Sequence, residues 1–61
     1  MTPEKKALVL NHFSHIMRYS NAFTEVANCD DMDDEKQKDA LVNICNLIKD
    51  WATETKTILN S

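Results

Sequence analysis

Residues 29–35 read CDDMDDE, and five of these seven residues are acidic. A long apolar-patterned run lies on each side. The stretch is a metal loop, a disordered joint or the bend of a helical hairpin, and the choice decides the fold. A calcium loop of the EF-hand kind needs alternating oxygen ligands, a central Gly and a distant Glu. Gly is absent from the chain and the spacing is wrong. The bend is the reading that uses these residues as they stand. Asn28 and Asp30 suit the end of a helix, since Asn tolerates the left-handed conformation when no Gly is available. Asp31 or Asp33 suits the N-cap of the next helix, with Asp34 and Glu35 at the positive end of its dipole.

Upstream of the bend, Thr2-Pro3-Glu4 is a helix start: a capping hydroxyl, a Pro in the first turn and an acid on the dipole. Val9, Phe13, Ile16, Ser20, Phe23 and Ala27 then follow a 4-3-4-3-4 spacing, a seam along one helix face. With its flanking residues, the apolar sector spans about 200° at about 100° per residue. Downstream, Leu41, Ile44, Ile48, Trp51, Thr55 and Ile58 form a matching seam. The expected elements are a helix over about 3–28, a bend over about 29–33 and a helix over about 34–59, all in one domain.

In an antiparallel hairpin, facing residue numbers have a constant sum. A sum of 64 pairs Val9/Thr55, Phe13/Trp51, Ile16/Ile48, Ser20/Ile44, Phe23/Leu41 and Ala27/Gln37, and places the turn at Met32. A sector that wide exceeds what one neighbouring helix covers. The expected architecture is therefore all-α: a two-helix hairpin that dimerises into a four-helix bundle. Its core or dimer residues are Val9, Phe13, Ile16, Phe23, Leu41, Ile44, Ile48, Trp51 and Ile58. A 61-residue chain is marginal alone, which also favours a partner subunit.

Composition excludes several functions. The net charge is −3, from seven basic and ten acidic residues. Residues 1–28 carry Lys5, Lys6 and Arg18 against Glu4 and Glu25, a net +1; residues 29–61 hold four Lys against eight acids, a net −4. An acidic chain is a poor general nucleic-acid binder, because that affinity comes mostly from neutralised phosphates. No apolar run approaches the roughly 20 residues of a membrane span. The start lacks the apolar core of a signal peptide. The two cysteines, Cys29 and Cys45, fall far apart in a hairpin and read as free thiols in a reducing cytoplasm.

No catalytic, cofactor or metal site is expected. His12 and His15 stand three apart, but a third and fourth zinc ligand are not evident. They read as one boundary and one surface histidine. Neither thiol has a base placed beside it by the seams. The polar outer side of helix one, with Lys6, Asn11, Ser14, Arg18 and Asn21, is the candidate face for RNA or a protein partner.

The opening MTPEKKAL, Phe13 soon after it, the acidic bend and the Ile44-Cys45 pair resemble the Rop (Rom) family of small plasmid proteins. The resemblance spans most of the chain and rests on architecture. It implies a dimer of helical hairpins that binds paired RNA loops through helix one, with Lys5 or Lys6, Asn11, Phe13 and Arg18 as the counterparts of its RNA-binding residues. Two departures bear on that role: Phe13 falls on the expected seam, and Glu25 stands where a basic residue would serve. The leading expectation is accordingly a non-enzymatic, cytoplasmic homodimer of the small phage or plasmid accessory kind, regulating by contact with a protein, a basic one by charge. A Rop-like RNA-binding regulator is the alternative.

Overall fold

A computed structural model describes all 61 residues, Met1–Ser61. It contains two helices and no strand: α1, Pro3–Ala27, and α2, Asp34–Asn60, which pack on each other as an antiparallel hairpin. The Cα trace measures 46 × 15 × 8 Å, a slab two helices wide and one helix thick.

Each helix end has a local cause. The Thr2 hydroxyl accepts the Lys5 N–H at 3.1 Å, and Pro3 opens α1. At the start of α2, Asp33 is the N-cap residue, but its side chain makes no capping bond. Its carbonyl accepts the Gln37 N–H at 2.8 Å, and Asp34 and Glu35 lie in the first turn.

The chain reverses without any left-handed residue. Asn28 caps α1 at φ −92°, ψ 4°, and no residue has positive φ. The left-handed ending expected of Asn28 or Asp30 does not occur. A side chain replaces it. Gln37, from the first turn of α2, directs its Nε2 amide at the carbonyls of Val26 (2.8 Å), Ala27 (3.2 Å) and Cys29 (3.2 Å). The final carbonyls of a helix lack partners within it, and here the opposite helix supplies one.

The half-buried residues trace the contact line. On α2 they are Gln37, Leu41, Ile44, Ile48, Trp51, Thr55 and Ile58, the seam read from the sequence with Gln37 added, together with Ala40 beside it. On α1 the line runs through Lys5, Val9, His12, Ile16, Tyr19, Phe23 and Val26. It shares Val9, Ile16 and Phe23 with the expected seam but replaces Phe13, Ser20 and Ala27 by the residue before each. Phe13 is 52% exposed, so the expected Phe13/Trp51 layer does not form within the hairpin. The vertical register is kept, because Gln37 still reaches Ala27 and Trp51 still lies at the level of residues 12–15.

Both contact lines follow an alternating four-and-three spacing and take the a and d positions of a heptad. Reversing one helix makes like rows meet across the pair. The e positions, Lys6, Phe13, Ser20 and Ala27 with Lys38, Cys45, Ala52 and Leu59, therefore share one broad face of the slab. The g positions, Leu8, His15 and Ala22 with Ala40, Leu47 and Glu54, share the other. The contact of His12 with Glu54 and the stacking of His15 on Trp51 agree with this assignment.

No apolar side chain is buried; the single buried residue is His12, at 9% exposure. Hydroxyls on the helices are satisfied locally: Ser20 donates to the Ile16 carbonyl at 2.9 Å and Thr55 to the Trp51 carbonyl at 2.8 Å. At the open end, Lys5 Nζ donates to the Ser61 carbonyl at 2.6 Å.

Gln37→Leu keeps the volume and removes the amide that serves three carbonyls. It is expected to lower unfolding free energy by about 1–2 kcal/mol in urea titrations, the cost of losing the side-chain hydrogen bonds that tie the two helices at the bend. Thr2→Ala is expected to cost about 1 kcal/mol as a lost N-cap.

Candidate functional site

The densest side-chain cluster lies where α1 passes Trp51. His12 occupies the contact line, so its imidazole is enclosed by both helices. His12 Nδ1 lies 2.9 Å from the Leu8 carbonyl; a carbonyl only accepts, so Nδ1 carries the hydrogen. That leaves Nε2 facing Glu54 Oε2 at 3.4 Å. A neutral ring presents a lone pair there, and only the imidazolium forms an ion pair with the carboxylate. Glu54 is largely exposed, which weakens the contact through solvent screening.

The indole of Trp51 meets both imidazoles. His12 stands edge-on to it, with ring centroids 5.0 Å apart and planes at 80°. His15 stacks on it, at 4.3 Å and 15°. These are the two favoured geometries for aromatic pairs. Expected as a boundary residue and a surface residue, the histidines in fact converge on one tryptophan. The spacing of three sets His12 on the contact line and His15 one row around on the g face, and Trp51 is wide enough to touch both.

Two shallow grooves adjoin this cluster along the g side of α2. One, of about 240 Å³, is lined by Leu47, Asp50, Trp51 and Glu54. The other, of about 290 Å³, is lined by Thr53, Glu54, Thr57 and Ile58. Apolar floors and carboxylate rims suit a cationic side chain better than an anionic one.

Both nitrogens of His12 face fixed neighbours, and the His15 ring lies flat on the indole. No three of the His, Cys, Asp and Glu side chains form a group able to hold a metal ion. Cys45 lies on the opposite broad face, exposed, and Cys29 sits half-buried beside the bend; both thiols are free. The acids of the bend, Asp30, Asp31, Asp33, Asp34 and Glu35, are all exposed.

The expected outer face of α1 is divided. Asn11, Ser14, Arg18 and Asn21 are exposed along the c and f rows, one continuous outer strip. Lys6 is exposed as well, but in the e row with Phe13, about 100–150° around the helix from Arg18 at 100° per residue. No helix is long and apolar enough to cross a membrane. No protein-family model, curated protein or solved structure matches the chain.

A double-mutant cycle with His15→Ala and Trp51→Leu is expected to give a coupling of about 0.5–1.5 kcal/mol in urea unfolding, the size of an aromatic pair interaction. A coupling near zero would mean that the stack contributes nothing beyond shared burial.

Proposed function

We propose that this chain is a non-enzymatic regulatory or adaptor protein that works as a homodimer by contact with another protein. One observation carries the reading: a 61-residue hairpin with no buried apolar side chain lacks a core of its own. Ordering a residue costs about 1–2 kcal/mol of backbone entropy, which apolar burial must offset. A second hairpin supplies that burial, in the all-α four-helix arrangement. The remaining polar surface then meets the partner. Asp50 and Glu54 beside the two grooves, with the acidic bend at one end, favour a basic partner surface. Two free thiols suit the cytoplasm. The size and charge fit the accessory proteins of phages and plasmids.

Sedimentation equilibrium over a range of about 1–100 μM tests the dimer, a span that brackets a micromolar association. The expected mass is twice 7.0 kDa. A single monomeric species throughout would remove the reading. For the partner, Asp50→Lys with Glu54→Lys is expected to abolish binding to a basic helical peptide while leaving the dimer intact.

The exposed Phe13 favours a second reading, a Rop-like RNA-binding regulator acting through α1. The seam had taken this aromatic out of reach of a ligand, and its exposure returns it to the surface. On this reading, paired RNA loops shift the chain in gels at low salt. Affinity falls steeply as salt rises, and Arg18→Ala weakens binding by releasing one phosphate contact. No shift at about 20 mM salt, where electrostatic binding is strongest, would sink it.

A further inference from the structure

The two broad faces of the slab are unequal. Seven large apolar residues within the helices are substantially exposed: Leu8, Leu10, Phe13, Met17, Val42, Leu47 and Leu59. Phe13 and Leu59 occupy e positions, and Leu10, Met17 and Val42 occupy the adjoining b positions. Only Leu8 and Leu47 belong to the g face. The c rows that flank the g face hold Glu4, Asn11, Arg18 and Glu25 on α1, and Lys36, Asn43, Asp50 and Thr57 on α2. The exposed large apolar residues thus gather on the e side, five of the seven, and only two lie on the g side.

We infer that the e face, centred on Phe13 and Ser20 of α1 and Cys45 and Ala52 of α2 with Met17 at its rim, is the surface on which a second copy of this chain docks, leaving the face with the His15–Trp51 stack free. The inference rests on the homodimer reading and names its surface.

Three observations choose the occupant. First, the need for cover is constant. A hairpin with no buried apolar side chain requires it whenever it is folded, and a copy of itself is the partner made in step with it. Second, the footprint suits an interface. A face of 46 × 15 Å is about 700 Å², close to the ~800 Å² that each partner contributes to a standard-sized interface. Third, the relief is self-complementary. Near the middle of the face Phe13 is the large projection, among the small Ser20, Cys45 and Ala52, while Lys6, Lys38 and Leu59 lie toward its ends. A two-fold axis across the helices between the levels of residues 16 and 17 sets Phe13 over the level of Ser20 in the other copy. An axis along the helices sets it over Ala52. In either case a bulky side chain meets a small one, as interdigitated layers require. The lysines at the edge, Lys49 and Lys56, and those near the ends of the e rows, Lys6 and Lys38, are all exposed and can extend their ammonium groups to solvent while their stems cover the rim.

Cys45 offers a test without substitution. Its thiol is exposed in the hairpin and becomes covered by the docked copy, whereas Cys29 lies beside the bend, outside the face. The intact chain is treated with iodoacetamide at concentrations where sedimentation shows mostly dimer and mostly monomer. Cys45 is expected to react at least ten-fold more slowly in the dimer, with Cys29 unchanged. In parallel, Phe13→Glu is expected to weaken self-association at least 100-fold, and Leu47→Glu on the opposite face less than three-fold. If the chain dimerises but Cys45 reacts equally fast in both states, or Leu47→Glu is the variant that dissociates it, the face is misassigned and the homodimer reading stands. If the intact chain is monomeric at every concentration, both fall. The labelling arm decides even if Phe13→Glu unfolds.

Discussion

Two helices that meet along a single line cover each other from one side only. Every apolar side chain on that line keeps an edge in water, so Val9, Ile16, Phe23, Leu41, Ile44, Ile48 and Trp51 are half-buried and none is enclosed. This geometric limit governs the rest of the molecule. It makes the stability of the hairpin depend on polar devices at its two ends and on surfaces that an isolated hairpin leaves uncovered. It also explains why the one enclosed residue is His12. An imidazole on the contact line is shielded by the bulk of Trp51 beside it, and its Nδ1 hydrogen reaches the Leu8 carbonyl of its own helix.

The closed end shows how the chain turns back without glycine. Helices often end on a left-handed residue whose N–H groups return to the last carbonyls. Here no backbone takes that conformation, and the carbonyls of Val26, Ala27 and Cys29 converge on the side chain of Gln37. The ending of α1 is therefore partly a tertiary contact. The backbone N–H groups of Asn28 and Cys29 close the helix locally on Thr24 and Val26, and Gln37 adds a bond from the first turn of α2, which couples the two elements where the chain separation between them is least. The acidic residues of the bend serve α2 through their charge near its first turn rather than through a capping bond, since Asp33 makes none.

The all-helical hairpin was legible from the sequence, and the reason is periodicity. A four-and-three spacing on both sides of a polar, turn-compatible stretch has few other solutions, and the α2 contact line contains every residue of its expected seam, extended by Gln37. On α1 two rows competed. They share Val9, Ile16 and Phe23 and diverge at positions 12 or 13, 19 or 20, and 26 or 27. The large apolarity of Phe13 pulled the reading to the wrong row. Tyr19 against Ser20 and Val26 against Ala27 both favoured the row that the protein uses, so two of the three divergent positions carried the correct signal. The clustering of His12 and His15 on Trp51 was hidden for the same reason, since it follows once His12 stands on the contact line. The role of Gln37 had a trace as well: it stood opposite Ala27 in the expected register, but an amide in that layer gives no sign that it will cap a distant helix.

Trp51 is the only tryptophan in the chain, and it is held against two imidazoles from the other helix. Imidazole, above all in its protonated form, quenches the emission of an indole that it touches. The protein thus carries its own optical gauge. Its intrinsic fluorescence reports on the separation of the two helices at the level of His12 and His15, several turns in from the open end, and brightening of that signal would reveal the helices parting there before the far-ultraviolet signature of helix is lost.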